Sequence, residues 1–182
     1  CVHSGQWSAR HGVYTVGTSE RGSAQSRKII PTKNTLFIPQ EIVTMAEALK
    51  AGGYKTIHLG KYHLDQDPLT QGFDINIGGD KNGSPAGGGF FSPWTQPVMK
   101  KWSDQYPKNT HRMTVYTDQA VKFIAENNSQ PMFIHFSPYS VHTPIQAVSK
   151  YLPNYKGVDI NANYASMVEN FDAGVGQVLK AL

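Results

Sequence analysis

Apolar positions along the chain set out three helices. Tyr164, Met167, Val168, Phe171, Val175, Val178, Leu179 and Leu182 recur with the helical period and predict an amphipathic helix over 164–182. Gly174 and Gly176 interrupt that stripe and mark points of close packing. Met113, Tyr116, Ala120, Phe123 and Ile124 keep the same spacing and predict a second helix over 114–127. A shorter helix over 45–51 is marked at both ends. Thr44-Met45-Ala46-Glu47 has the form of a capping box, and Gly52-Gly53 provides a stop.

Two apolar runs each follow a helix and predict strands, Thr56-Ile57-His58-Leu59 and Met132-Phe133-Ile134-His135-Phe136. The second is nearly unbroken after Pro131, which suits a strand buried on both faces. Alternating helices and strands imply an α/β layer fold, with 56–59 and 132–136 as parallel neighbours or near neighbours. The polar, punctuated stretch 17–39 and the Gly-, Pro- and aromatic-rich stretch 72–107 read as loop. A loop as long as the second is usually functional.

Composition narrows the class. The 182 residues suit one domain, and 39% hydrophobic with 16% charged residues is a globular balance, not a disordered one. No apolar run reaches the ~20 residues of a membrane span, and no basic-then-apolar leader opens the chain. The chain does not begin with Met and reads as processed or as a fragment. A mature lipoprotein begins with Cys, but the residues after Cys1 read as mid-domain sequence rather than a tether. A lone Cys forms no internal disulfide and leaves the compartment open. The net charge of +4 suits an anionic ligand, yet Arg21, Arg27, Lys28, Lys33, Lys100, Lys101, Lys108 and Arg112 are scattered and read as solvated surface. No zinc-finger, helix-turn-helix or RNA-binding signature appears, so nucleic acid is not an expected partner.

Candidate chemistry gathers after the strands. Gly60-Lys61-Tyr62-His63-Leu64 leaves the first one. If the backbone stays extended, Lys61 and His63 project to one side, roughly 7 Å apart. Ligands of parallel sheets bind beyond the carboxyl ends of the strands. A lysine there offers charge to an anion, and a histidine transfers a proton near neutral pH. His142 follows the second strand and shares that edge, so Lys61, His63 and His142 are expected to face one cleft. His58 and His135 lie inside strands and read as core or backbone-bonded; His3, His11 and His111 carry no positional argument. The Gly-rich segment 78–89 lacks the Gly-Lys-Ser/Thr ending of a P-loop and reads as a flexible loop lining a cleft. Asp65, Asp67, Asp74 and Asp80 lack calcium-loop spacing, so no metal site is expected among these residues. Phe90, Phe91, Trp94, Trp102 and Tyr106 gather in the long loop, where rings serve either to stack on sugars or to pack a core.

These segments, in this order, resemble the formylglycine-dependent (type I) sulfatases of the alkaline phosphatase superfamily. Gly60-Lys61-Tyr62-His63-Leu64 is similar to the Gly-Lys-Trp-His-Leu signature, with Tyr62 in place of Trp. Residues 45–56 resemble the helix-to-strand lead, Gly72-Phe73-Asp74 the Gly-Phe-Asp element, and Val141-His142-Thr143-Pro144 the Val-His-Thr-Pro segment. Ser4-Gly5-Gln6-Trp7-Ser8-Ala9-Arg10-His11-Gly12 resembles the stretch just after the formylglycine motif.

The resemblance implies a parallel-rich mixed sheet with helices on both faces, residues 1–182 being one partial catalytic domain. It implies a sulfuric ester hydrolase acting on sulfate monoesters, sulfated carbohydrates among them, and a periplasmic or secreted compartment. Lys61 would bind sulfate and the formylglycine oxygen. His63 would hydrogen-bond the formylglycine and help release sulfate. His142 would bind sulfate and protonate the leaving oxygen, and Asn82 would fall at a further sulfate contact. Cys1 is followed by Val2-His3-Ser4-Gly5, not by the x-Pro/Ala-x-Arg of the modified site, so the nucleophile and the Ca2+ ligands are expected outside these residues, and the residues alone are expected to be inactive. A phosphodiesterase or phosphonate hydrolase of the same superfamily, and a non-catalytic sulfated-glycan-binding relative, remain open alternatives.

Overall fold

A computed structural model describes residues 1–64 and 67–182, so Asp65 lies outside the described residues. The helices, in chain order, are α1 (Ser8–His11), α2 (Met45–Ala51), α3 (Pro97–Ser103), α4 (Arg112–Asn127) and α5 (Ala162–Ala181). The strands are β1 (Lys55–Gly60), β2 (Ile75–Ile77) and β3 (Met132–Ser137). They form one three-stranded sheet in the order β2-β1-β3, with both pairings parallel. No antiparallel strand joins that sheet among the described residues. No described helix is long and apolar enough to cross a membrane.

The central strand alternates between two cores. On one face Ile57 and Leu59 meet α4 through Val115, Ala120, Phe123 and Ile124, in the larger cluster. On the other, Thr56 and His58 face a smaller cluster of Ala46 from α2, Tyr62 and Phe73. Helices therefore cover both faces, as the class implies. The capping box of α2 is complete: Glu47 N–H donates to Thr44 Oγ1 (3.2 Å) and Thr44 N–H to Glu47 Oε2 (2.7 Å).

The Gly-Phe-Asp element joins α2 to the sheet. Gly72 has φ 96°, and a Cβ there would lie 2.3 Å from the Glu47 nitrogen, so only glycine lets the chain pass the helix. Phe73 is core. Asp74 Oδ2 accepts from Thr56 N–H (3.0 Å) and Oδ1 pairs with Lys50 (2.8 Å), which fixes β1, β2 and α2 together. Tyr62, where the related signature has Trp, is 5% exposed and donates its hydroxyl to Gln71 Oε1 at 2.6 Å, so its polar end is satisfied inside the cluster.

Several expectations change. β1, not β3, is the enclosed strand, buried from Thr56 to Gly60; β3 is at the sheet edge and only partly buried throughout. Its apolar run reflects two half-covered faces, not full enclosure. Residues 72–107 contain β2 and α3 as well as loop. The apolar stripe of α5 divides: Met167 and Val178 pack inward, while Tyr164, Val168, Leu179 and Leu182 stay exposed. Gly174 is the point of close approach, since a Cβ there would lie 2.3 Å from Met113 Cε of α4; a Cβ on Gly176 would meet open space.

Candidate active site

β1 and β3 end level, Gly60 opposite Ser137, so the chain leaves both strands at one sheet edge. Lys61 N–H donates to Ser137 O (2.7 Å), and Ser137 Oγ donates back to Lys61 O (2.8 Å). Gly60 is confined by its surroundings: φ is 105°, and a Cβ would lie 2.2 Å from Ser137 O. Below it, His58 is fully buried. Its Nε2 faces Gly60 O (3.0 Å) and its Nδ1 faces His135 Nδ1 (2.8 Å). A carbonyl only accepts, so neutral His58 carries its proton on Nε2, and His135 must donate from Nδ1. The strand histidines thus hold the base from which Lys61 emerges, and His3 packs edge-on against His135 with ring centres 4.6 Å apart.

The backbone does not stay extended after Gly60. His63 takes φ 61°, a left-handed conformation rare for a residue with a side chain and characteristic of functional sites. Strand alternation therefore does not bring Lys61 and His63 together; the turn does. His63 N–H donates to Asp80 O (3.0 Å), and Gly83 lies so close to the ring that a Cβ would be 2.4 Å from Cε1. Burial first, then the positive charges of Lys61 and His142, lower the His63 pKa below the ordinary histidine value of 6.5. Lys61 and His142 are thus both near enough to act on His63 electrostatically, and His63 is neutral at pH 7.

His142 lies on the loop after β3, exposed, between cis peptide bonds at Ser140–Val141 and Thr143–Pro144. Its Nδ1 is 2.7 Å from Thr143 O, which fixes the proton on Nδ1 and leaves Nε2 as the nitrogen that exchanges protons. Asn82 is partly committed. Its backbone N–H and its amide donate to the two oxygens of Asp80 (2.7 and 2.8 Å), and its carbonyl accepts from Tyr139 (3.1 Å).

The glycine-rich loop is not a free flap. Arg112, the first residue of α4, is fully buried rather than solvated. Its guanidinium donates to Ala86 O, Gly89 O and Gln96 Oε1, each at 2.6 Å. Gln96 Nε2 donates in turn to Asp80 Oδ2 (2.8 Å), so the buried cation and the carboxylate under Asn82 are joined through one amide. Of the loop aromatics, Phe90, Trp94 and Trp102 are core, not sugar platforms. His111 caps α4 by accepting from Met113 N–H (3.0 Å).

Sequence reasoning missed a second feature. A cleft of about 400 Å³ opens beside His63, walled by Val16, Leu36, Phe37 and Leu64, with Lys81 at its side. The polar character of 17–39 hid Leu36 and Phe37; their signal was a pair of large apolar residues in a segment with no helix or strand to bury them. Among the described residues no group of His, Cys, Asp or Glu is placed to hold a metal ion, so these residues do not fit calcium by themselves.

A family profile described as Sulfatase matches residues 1–182. The N-acetylgalactosamine-6-sulfatase of Mus musculus is 26% identical over 98% of this chain and 36% of its own length. The Arylsulfatase J of Mus musculus is 29% identical over 80% of this chain and 27% of its own length. The chain thus spans about a third of the length of these relatives. Among solved structures, the protein described as Ps i-CgsB superposes with a TM-score of 0.69 at 23% identity, over 100% of this chain and 42% of that one, a likeness of fold.

Proposed function

The chain belongs to the sulfatase family, and on that premise we propose that the full-length protein hydrolyses sulfate monoesters, with residues 1–182 forming part of one catalytic domain. The observation that carries the assignment of roles is the shared end of β1 and β3, where Lys61 and His63 follow one strand and His142 follows the other. Sulfate ester cleavage needs cations where the sulfate oxygens sit, and an acid where charge develops on the departing oxygen. Lys61 supplies the fixed charge. His142, protonated on Nε2 while Nδ1 stays on Thr143 O, supplies the proton to the leaving oxygen. Neutral His63 would hydrogen-bond the formylglycine and accept the proton of its hydroxyl as the bond to sulfate breaks. Asn82 keeps one amide N–H for a sulfate oxygen after serving Asp80. A formylglycine, which provides the nucleophile in this family, and calcium are assigned to residues beyond these 182. Sulfated carbohydrate is the substrate class favoured by the name of the N-acetylgalactosamine-6-sulfatase relative.

The test is a panel of matched aryl esters with the purified full-length protein: sulfate, phosphate monoester, phosphate diester and phosphonate. The sulfate should be preferred by at least about tenfold in kcat/KM. A larger rate on the diester or phosphonate would move the protein to the neighbouring branch of the superfamily, and turnover of none would leave a binding relative.

A further inference from the structure

His63 and His142 follow different strands, yet an unbroken run of hydrogen bonds joins them. His63 N–H donates to Asp80 O (3.0 Å). The Asp80 carboxylate accepts from Asn82 twice, from its backbone N–H (2.7 Å) and from its amide (2.8 Å). Asn82 O accepts from the Tyr139 hydroxyl (3.1 Å), and Tyr139 O accepts from His142 N–H (2.8 Å). A backbone group takes part at every junction, so the run fixes the path of the chain and not only side-chain rotamers.

The side chains of Asp80 and Tyr139 have no part in the steps above. His63 at φ 61° keeps a conformation that persists only where its neighbours hold it, and Asp80 O is one such neighbour. Residues 142–145 are exposed, so packing does not fix His142. Tyr139 is 3% exposed, with its ring in the larger core, and it is the point at which that loop is tied down. Burial above all raises the pKa of its phenol, which therefore stays a donor through the neutral range. Arg112 backs the run at two points. It donates to Gln96, whose amide donates to Asp80 Oδ2 (2.8 Å), and its guanidinium carbon lies 5.8 Å from the centre of the Tyr139 ring.

We propose that Asp80 and Tyr139 are positioning residues that set His142 against His63, with Asn82 held between them. This rests on the proton-donor role given to His142 and adds two residues that act through it. An acid transfers its proton only within hydrogen-bond reach of the leaving oxygen, and a misplacement of about 1 Å can cost on the order of a hundredfold in rate. Tyr139 joins the two loops: its phenol holds the one that carries Asn82, and its carbonyl holds the turn that carries His142.

The experiment measures kcat and KM for phenyl sulfate and 4-nitrophenyl sulfate with the full-length protein and its Tyr139→Phe, Asp80→Asn and His142→Ala variants, singly and combined. Tyr139→Phe keeps the ring and removes one oxygen. It should lower kcat about tenfold on phenyl sulfate and less than about threefold on the nitrophenyl ester, with KM within about twofold. Asp80→Asn should repeat that pattern, because one amide oxygen cannot replace two carboxylate oxygens that accept three bonds. The pair together should be scarcely slower than either alone, since two breaks in one run release the same loop. Added to His142→Ala, Tyr139→Phe should change kcat by less than about twofold, as no donor is left to place. Asp80 is only partly buried, so Asp80→Asn reads the same run if Tyr139→Phe does not fold. Equal slowing of the two esters by the single variants, or a tenfold loss from Tyr139→Phe on top of His142→Ala, would overturn the positioning role and leave the sulfatase reading standing. No turnover of either ester by the wild type would overturn both.

Discussion

In the general-acid role proposed for His142, little fixes the side chain. One hydrogen bond from Nδ1 to Thr143 O decides which nitrogen exchanges protons. His142→Ala should therefore slow esters of poorly acidic alcohols by about 10²–10⁴-fold and activated aryl esters much less, since a good leaving group needs little protonation. Plotting log kcat/KM against leaving-group pKa should give a steeper line for the variant; parallel lines would remove His142 from that role. The buried histidines carry a different liability. Burial first, then the charge of His135, lowers His3 to about 4 and His58 to about 3, from 6.5. Their folded-state values lie below the unfolded value, so the fold takes up fewer protons than the unfolded chain. Stability is complete above about pH 6.5 and falls as pH drops through the window towards those values, by roughly 1 kcal/mol per pH unit for each histidine. Urea midpoints should decline from pH 7 to pH 5, and less steeply in His58→Leu. At this scale the sequence placed Lys61, His63 and His142 after strand ends, and β1 and β3 do end level just before them. Arg112 was not, because its acceptors are loop carbonyls, and no sequence pattern says where a loop carbonyl will point.

Elements differ in how much of themselves the chain spells out. α2 is readable to the residue because Thr44 and Glu47 cap it and Gly52 ends it, all within one turn of its ends. β2 is not, since a three-residue strand exists only by virtue of its partner β1. The order β2-β1-β3 was equally hidden: apolar content marked β3 as the enclosed strand, but enclosure depends on which strand lies between the others. The loop before α3 looked loose from its glycines and is instead organised by the first residue of α4. Arg112→Met should remove three hydrogen bonds at once and strand the Gln96, Ala86 and Gly89 acceptors, for a loss of about 3 kcal/mol. Hydrogen exchange should locate the loosening: amides of 78–89 should lose protection before those of β1. Uniform loss along the chain would show that the arginine serves the core at large rather than this loop.

At the scale of the whole molecule, the α/β class followed from alternation and the family from motif order, whereas the depth and contents of the cleft followed from neither. Residues 1–182 carry Lys61, His63 and His142, to which anion binding and proton transfer are assigned in the proposal, but no Cys/Ser-x-Pro/Ala-x-Arg sequence from which a formylglycine could form. Expressed by themselves they should give no turnover of an activated aryl sulfate with calcium supplied, and turnover above a Lys61→Ala, His142→Ala control would show that the machinery has been misplaced. The position of β3 also bears on how such a preparation behaves in a tube. One side of that strand offers a row of peptide donors and acceptors to whatever chain comes near, and a second copy carries the same row. Edge-to-edge joining of copies would make light scattering climb with protein concentration and salt, so the usable range of the isolated 182 residues is set by colloidal behaviour well before it is set by unfolding.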